Sequence, residues 1–388
     1  MKKLLLLALC GILASGSAEA RTLYVNARRP NNNGNGLKPK TAKKTIQAAI
    51  NIARYGDTIL VYPGTYSPFD ANKNKYLSVI SVKAVKGAGK TKIILPKASK
   101  AKRIVRLTGS SKIHHIGNID YATYRSELVG FTLDGQNQTR PVVSASSPEE
   151  EESCHFVAVE GGNVRSCIIQ GIVVDKCDCD NGRFSTASIA WNCNLTACTI
   201  KGNDVFDSAF WWCRVNRCTI MNNVFGDGVV GPNCILSNCL IVKNTVDSLF
   251  RNLVTERFDT LFVNCSIADN RIEVPSPFDL QQSDGKVAAH SKFYNCIIRN
   301  NYAQTEWTEW EPQRRMLLDI AKSENVYRCT FTNNRNPKFT SAYKLKKGSP
   351  CINRGKLSKT LKKIVGTKDL AGRKRVRGKA VDMGCYEY

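Results

Sequence analysis

Val215-Asn-Arg-Cys218-Thr-Ile-Met-Asn-Asn223 and Leu236-Ser-Asn-Cys239-Leu-Ile-Val-Lys-Asn244 are two copies of one phrase. It occurs seven times, with its Cys at 167, 198, 218, 239, 265, 296 and 329. Five residues after the Cys stands Asn203, Asn223, Asn244, Asn270, Asn301 or Asn334; only the first copy differs, with Ile172. Cys and the Ile or Phe two residues later point to one face of a strand, and the residue between them points away. The Asn falls where the strand should end, and Asn tolerates turn conformations. Coils stacked about 4.8 Å apart would let each Asn amide bond its neighbours above and below. The phrase therefore predicts a repeat architecture with an Asn ladder and a Cys column, each unit burying its apolar face against the next.

The spacing chooses between solenoids. Successive phrase Cys residues are 31, 20, 21, 26, 31 and 33 residues apart. A leucine-rich repeat keeps a stricter period and a Leu-bearing return segment, whereas the return paths here are rich in Val, Thr, Ser and Asp. Irregular intervals suit an all-β, right-handed parallel β-helix, whose loops vary in length between fixed strands. Roughly eleven or twelve coils are expected in one domain. Residues 21–66 form an N-terminal cap and first coil, 126–339 the regular coils, and 340–388 a C-terminal closing segment.

Residues 1–20 read as a secretory signal peptide: Lys2-Lys3, the apolar run Leu4–Leu9, then Ala18-Glu19-Ala20 as the cleavage site. Cys10 follows Leu9 rather than the small residue of a lipidation signal. No later stretch approaches 18 consecutive apolar residues, so no transmembrane segment is expected. The mature chain should be extracellular or periplasmic, with cell-surface attachment an option. Next come a strand at Thr22–Asn26 and a helix with Thr45 as N-cap and Ile46, Ala49, Ile50 and Ala53 on one stripe. A strand at Thr58–Tyr62 follows. A helix at this position shields the open end of a solenoid core and its strand edges.

Thr22-Leu-Tyr-Val-Asn, Lys44-Thr-Ile-Gln-Ala-Ala-Ile and Gly56-Asp-Thr-Ile-Leu-Val-Tyr-Pro-Gly-Thr-Tyr resemble the opening of secreted bacterial right-handed parallel β-helix repeat proteins. Ser349-Pro-Cys-Ile-Asn-Arg-Gly355, Asp369-Leu-Ala-Gly372 and Asp382-Met-Gly-Cys-Tyr-Glu387 are similar to the closing segment of the choice-of-anchor Q domain subset. The resemblance spans nearly the whole mature chain. It implies fold and export but no reaction, since these proteins share no assigned chemistry. With the sequence ending at Tyr388, no sorting signal is expected beyond that segment.

The formal net charge is +25, unevenly spread. Residues 21–120 carry 20 Lys and Arg against 3 acids, residues 121–337 carry 20 against 25, and residues 338–388 carry 15 against 3. Basic ends could hold the protein on an anionic cell-envelope polymer through salt-sensitive attraction, or keep rods from joining end to end. Nucleic acid is not expected as a partner, because the chain reads as exported and carries no recognised binding motif. A monomer is expected. Fifteen Cys remain after the signal. Cys193, Cys213 and Cys234 each lie five residues before a phrase Cys, and this fixed register marks core positions rather than zinc ligands. Mostly reduced thiols are expected, with Cys177 and Cys179 the pair best placed to bridge elsewhere.

Asp207, Asp227 and Asp247 fall eight or nine residues after their Cys on three consecutive coils, and Asp175 holds that place one coil earlier. Aligned outward, neighbouring carboxylates about 5 Å apart would repel by roughly 3 kcal/mol, enough to raise one pKa or recruit a cation. Such a cluster suits glycoside hydrolysis as acid and base, or calcium-assisted polysaccharide cleavage as ligands. Asp207, Asp227 and Asp247 are thus the candidate catalytic residues, with Trp211, Trp212, Arg214 and Arg251 as candidate substrate contacts and Trp191 as a further stacking surface. No cofactor is required, and Ca2+ is the ion the column would suit. The structural alternative makes the Asp residues turn caps and the aromatics a supporting stack. Polygalacturonase signatures are missing, and His114, His115, His155 and His290 show no coupling to a nucleophile. Two acidic segments, Glu149–Glu152 and Glu306-Trp307-Thr-Glu309-Trp310-Glu311, read as loops, the second able to reach a glycan. The expectation is a carbohydrate-active or carbohydrate-binding protein acting on extracellular polysaccharide, lyase-like or hydrolase-like. The alternative is a non-catalytic surface rod.

Overall fold

The computed structural model describes residues 19–74, 79–96, 101–107, 112–116, 119–123, 126–140, 156–174, 187–248, 260–273, 291–304, 316–317, 326–327 and 336–388. Residues 1–18 of the expected signal peptide, the two acidic loops, Asp175, Cys177, Cys179, Arg251 and Cys329 lie outside them. Among the described residues one sheet runs from Thr22–Val25 through Thr58–Val61, Ser81–Ala84 and Glu127–Val129 to Val326–Tyr327, eleven strands in chain order. Every neighbouring pair in it is parallel. A second sheet holds the strands that follow the described phrase Cys residues, such as Thr199–Lys201, Thr219–Met221 and Leu240–Val242. A third holds Phe69–Asp70, Arg103–Arg106, Phe156–Glu160, Ala187–Trp191 and Phe210–Trp211. The chain is a parallel β-helix.

Each regular coil turns at corners five residues apart: Cys193, Cys198 and Asn203, then Cys213, Cys218 and Asn223, then Cys234, Cys239 and Asn244. The residue before each corner is left-handed, as at Asn192 (φ 54°), Ala197 (φ 55°) and Gly202 (φ 60°), or Trp212 (φ 56°), Arg217 (φ 53°) and Asn222 (φ 55°). The turn conformation thus belongs to the residue preceding the ladder Asn, not to the ladder Asn itself. For non-glycine residues this costs about 1–2 kcal/mol each. The residue after the turn points into a narrow corner of the core, where Cys fits as a small hydrophobe. All eleven described Cys residues are buried thiols. Burial pushes the Cys193 and Cys218 thiols well above their ordinary value.

The third corner carries the Asn ladder. Asn223 Nδ2 donates to Asn244 Oδ1 at 2.9 Å and to the Ile200 carbonyl at 3.1 Å, while the Asn223 amide reaches the same Oδ1 at 3.1 Å. The pattern repeats from Asn203 to Asn301. Ile172, with no side-chain amide, still feeds the column by donating its backbone N–H to Asn203 Oδ1 at 3.1 Å. Between the corners Leu195, Val215, Leu236, Phe262 and Phe293 stack inward from the first sheet, and Ile200, Ile220, Ile241 and Ile267 from the second, all fully buried. Fully burying each such side chain stabilises by about 1.5–3 kcal/mol. At the N-terminal end helix α1 (Ile46–Ile50) is capped by Thr45, whose side chain accepts from the Ala48 amide, and buries Ile46, Ala49 and Ile50.

Residues 336–388 do more than follow the last coil. Helix α2 (Lys359–Val365), capped by Ser358, packs Leu361, Ile364 and Val365 on the outward side chains Ile235, Leu261 and Val263. Leu370, Cys385 and Tyr386 cover Leu240, Val242 and Ala268 on the second sheet. Asn264 and Asn295 tie the segment down through the Asp382 and Lys356 carbonyls at 2.8 and 3.0 Å. The segment is a strap along the flank, and its basic charge lies there. Replacing Asn244 by Ala strands the Asn223 amide and the Ile220 carbonyl inside the corner. Denaturant unfolding should show a loss of about 3 kcal/mol or more, against about 1 kcal/mol for Cys218→Ala.

Candidate active site

Asp207 lies in the turn between Asp204–Val205 and Phe210–Trp211, and Asp227 in the strand Val224–Gly228 of the next coil. The two coils pair Asp204 with Val224 and Val205 with Phe225. Gly226 is what brings them close: a Cβ there would sit 2.2 Å from the Phe206 carbonyl oxygen. Past that contact the Ala209 amide donates to the Gly228 carbonyl at 3.0 Å. Asp227 is thereby set against Asp207.

Asp207 is 4 % exposed, whereas Asp227 is half-buried. Burial pushes the Asp207 carboxyl up to about 8, and the charge and carboxyl of Asp227 add to the effect. The Ser208 amide, donating to Oδ1 at 2.5 Å, and the nearby Trp211 indole pull the other way without prevailing. At neutral pH the pair therefore holds a proton beside a second carboxyl.

Trp211 stacks on Trp191 of the preceding coil, ring centroids 5.5 Å apart and planes 10° from parallel. Gly231 on the following coil leaves room for the ring, since a Cβ there would lie 2.9 Å from it. Below Trp191 in the same register stands Glu160, paired with Arg103 and, at 3.3 Å, with Arg106. The hydroxyls of Ser188 and Ser208 are buried with no hydrogen-bond partner among the described residues. Groups of that kind ask for a partner from outside the fold.

The structure brings together three of the expected residues, Asp207, Asp227 and Trp211, with Trp191. Asp247 belongs to the strand Thr245–Ser248, which pairs with Val224–Gly228, but its side chain lies outside the described residues, as does all of Arg251. Trp212 is the left-handed corner residue before Cys213. Arg214 is a correction. Its guanidinium donates at 3.2 Å to the Lys363 and Ile364 carbonyls at the C-terminal end of α2, where a cation suits the helix dipole. Gly226, Gly231 and the buried Ser188 and Ser208 were missed. Only the two glycines, breaking otherwise strand-like stretches, left a signal in the sequence. Among the described residues no group of three or more His, Cys, Asp or Glu could hold a metal ion.

No protein-family model matches the chain. No curated protein matches it in sequence. Solved structures similar to it include pectate lyase Pel9A, at 14 % identity and a TM-score of 0.47, covering 96 % of this chain and 97 % of the other. A rhamnogalacturonan lyase matches at 12 % identity and 0.45, covering 88 % and 98 %. Pectate lyase Bsp165PelA from Bacillus sp. N165, in complex with trigalacturonate, matches at 11 % and 0.33, covering 90 % and 93 %. Nothing about the acid pair rests on these likenesses.

The Asp207 carboxyl titrates above its ordinary value of 3.8, so its contribution to stability is fully present below pH 3.8 and lost as pH rises through about 8. Asp207→Asn carries no charge at either pH. Its melting temperature should match the parent's at pH 4 and exceed it by about 5 °C or more at pH 9 in calorimetry.

Proposed function

We propose that this chain is a carbohydrate-active protein that cleaves a polysaccharide outside the cell by acid–base chemistry at Asp207 and Asp227. One observation carries the reading: a carboxyl held protonated near neutral pH, beside a second carboxyl on the next coil and a stacked pair of indoles. Glycosidic cleavage needs a proton delivered to the leaving oxygen as the bond to the anomeric carbon breaks. The pair supplies that proton. Water then adds to the anomeric carbon and gives its proton back to the pair, with Asp227 as the accepting carboxylate. The half-buried Trp191–Trp211 stack offers indole edges against which a sugar can pack. The reading takes the protein as a secreted monomer.

Calcium-assisted lyase chemistry at the same carboxylates is the variant that would need a cation. A divalent ion bound there must displace the shared proton. Titration with Ca2+ at pH 7 would then release about one proton per chain. The hydrolytic reading predicts no release. The second reading, a non-catalytic rod held on an anionic surface, is favoured by the strap, all eleven of whose lysines are exposed.

A panel of neutral and uronate-containing glycans, incubated with and without Ca2+, decides between them. The proposal expects new reducing ends from the parent, a rate that falls as pH rises through about 8, and a loss of about 100-fold or more in Asp227→Asn. Binding without turnover in every glycan, abolished by salt, would leave the rod.

A further inference from the structure

The strap and the coils beneath it enclose a second polar site, further along the stack from Asp207. It is a cavity of about 300 Å³ lined by Ala268, Asp269, Arg299, Thr340, Ser341 and Tyr343, among others. The coils make room for it. Met221, Val242, Ala268 and Arg299 follow one another in register, and the strap buries Val242 and Ala268. The shortening from Val242 to Ala268 opens the space under the strap.

Its polar groups are arranged for a ligand bearing both charge and hydroxyls. Arg299 Nη1 is buried with no hydrogen-bond partner among the described residues. The Arg299 side chain is half-buried and lines the cavity, a planar cation able to take a carboxylate. Asp269 accepts the Tyr343 hydroxyl at 2.6 Å, which fixes one wall, and Phe339 meets the Tyr343 ring edge-to-face at 5.8 Å, which supplies an apolar surface. Thr340 and Ser341 add hydroxyls. The volume lies at the lower end for small-molecule sites, the scale of one sugar ring rather than several.

The surroundings favour an acidic ligand. Residues 338–388 carry three acids, and each is consumed inside the strap: Asp369 by Arg373, Asp382 by the Asn353 and Tyr388 amides, and Glu387 by the buried Arg375. The strap's exposed side chains, Lys338, Lys344, Lys346 and Lys347 included, are cationic or neutral. Such a field raises the local concentration of polyanions.

We propose that this cavity binds a hexuronate residue of an acidic polysaccharide, with its carboxylate on Arg299 and its ring against Phe339. The site is independent of Asp207 and Asp227, so its failure and that of the cleavage reading are separable. Calorimetric titration of the full chain with a short oligouronate tests it, against a neutral oligosaccharide of equal length and against acetate and inorganic sulfate. The parent should bind the oligouronate alone. Arg299→Gln should weaken it about tenfold or more and Ser341→Trp should block it from the rim, while both keep the parent's glycan cleavage. The proposal is overturned if the parent binds no oligouronate, if the neutral sugar binds equally, or if acetate or sulfate competes at the same concentration. Unchanged affinity in Arg299→Gln would overturn it too. Should Arg299→Gln melt early, Ser341→Trp, altering only an exposed side chain, carries the test.

Discussion

The bifurcated amide bond at the third corner sets the terms for the rest of the structure. Asn223, Asn244 and Asn270 each take two hydrogen bonds on Oδ1 from the coil before, one from a backbone amide and one from a side-chain amide. Their own Nδ2 atoms reach forward to the next Oδ1 and back to an Ile carbonyl. Left without these partners, the corner would bury several backbone groups at about 1–3 kcal/mol apiece. The bond works at one rise per coil only, so it fixes register wherever it occurs. Loops between corners are then free to differ, and the Cys-to-Cys intervals vary from 20 to 33 residues without breaking the stack. The strained left-handed residues at the corners persist because the columns beside them overdetermine the turn.

Much of this was legible because a solenoid writes its contacts into its period. The Cys column, the Asn ladder, the parallel pairing and the capping helix with Thr45 all follow from residues that recur at fixed offsets. The left-handed positions were not legible, since Ala197, Arg217, Trp212 and Lys243 share no side-chain chemistry and owe their conformation to place alone. The strap left a signal that went unused. Ile235-Leu236, Leu240-Ile241-Val242 and Leu261-Phe262-Val263 are apolar on both faces, whereas Arg214-Val-Asn216 and Thr199-Ile-Lys201 alternate. A strand apolar on both faces needs cover on both, and residues 336–388 provide it.

The candidate site was legible in outline. Spacing after the Cys placed Asp207 and Asp227 on neighbouring coils and anticipated a raised pKa. It could not tell which carboxyl would be buried, because that depends on Gly226 letting the chain approach Phe206. Arg214 shows the opposite failure. An arginine near a tryptophan pair looked like a substrate contact, yet it closes the C-terminal end of α2, a partner about 150 residues away in sequence. The same distance effect hid the strap cavity, whose walls come from the coils near Ala268 and Arg299 and from a segment that begins at Asn336.

Hydrogen exchange at individual amides tests the central claim most directly. The backbone amides of Asn203, Asn223, Asn244 and Asn270 donate to side chains of the following coil rather than to a strand partner. If the ladder holds the stack, they exchange as slowly as the amides of the buried strand residues Ile220 and Ile241. Exchange at the rates of open turns, with those strand amides still protected, would contradict it.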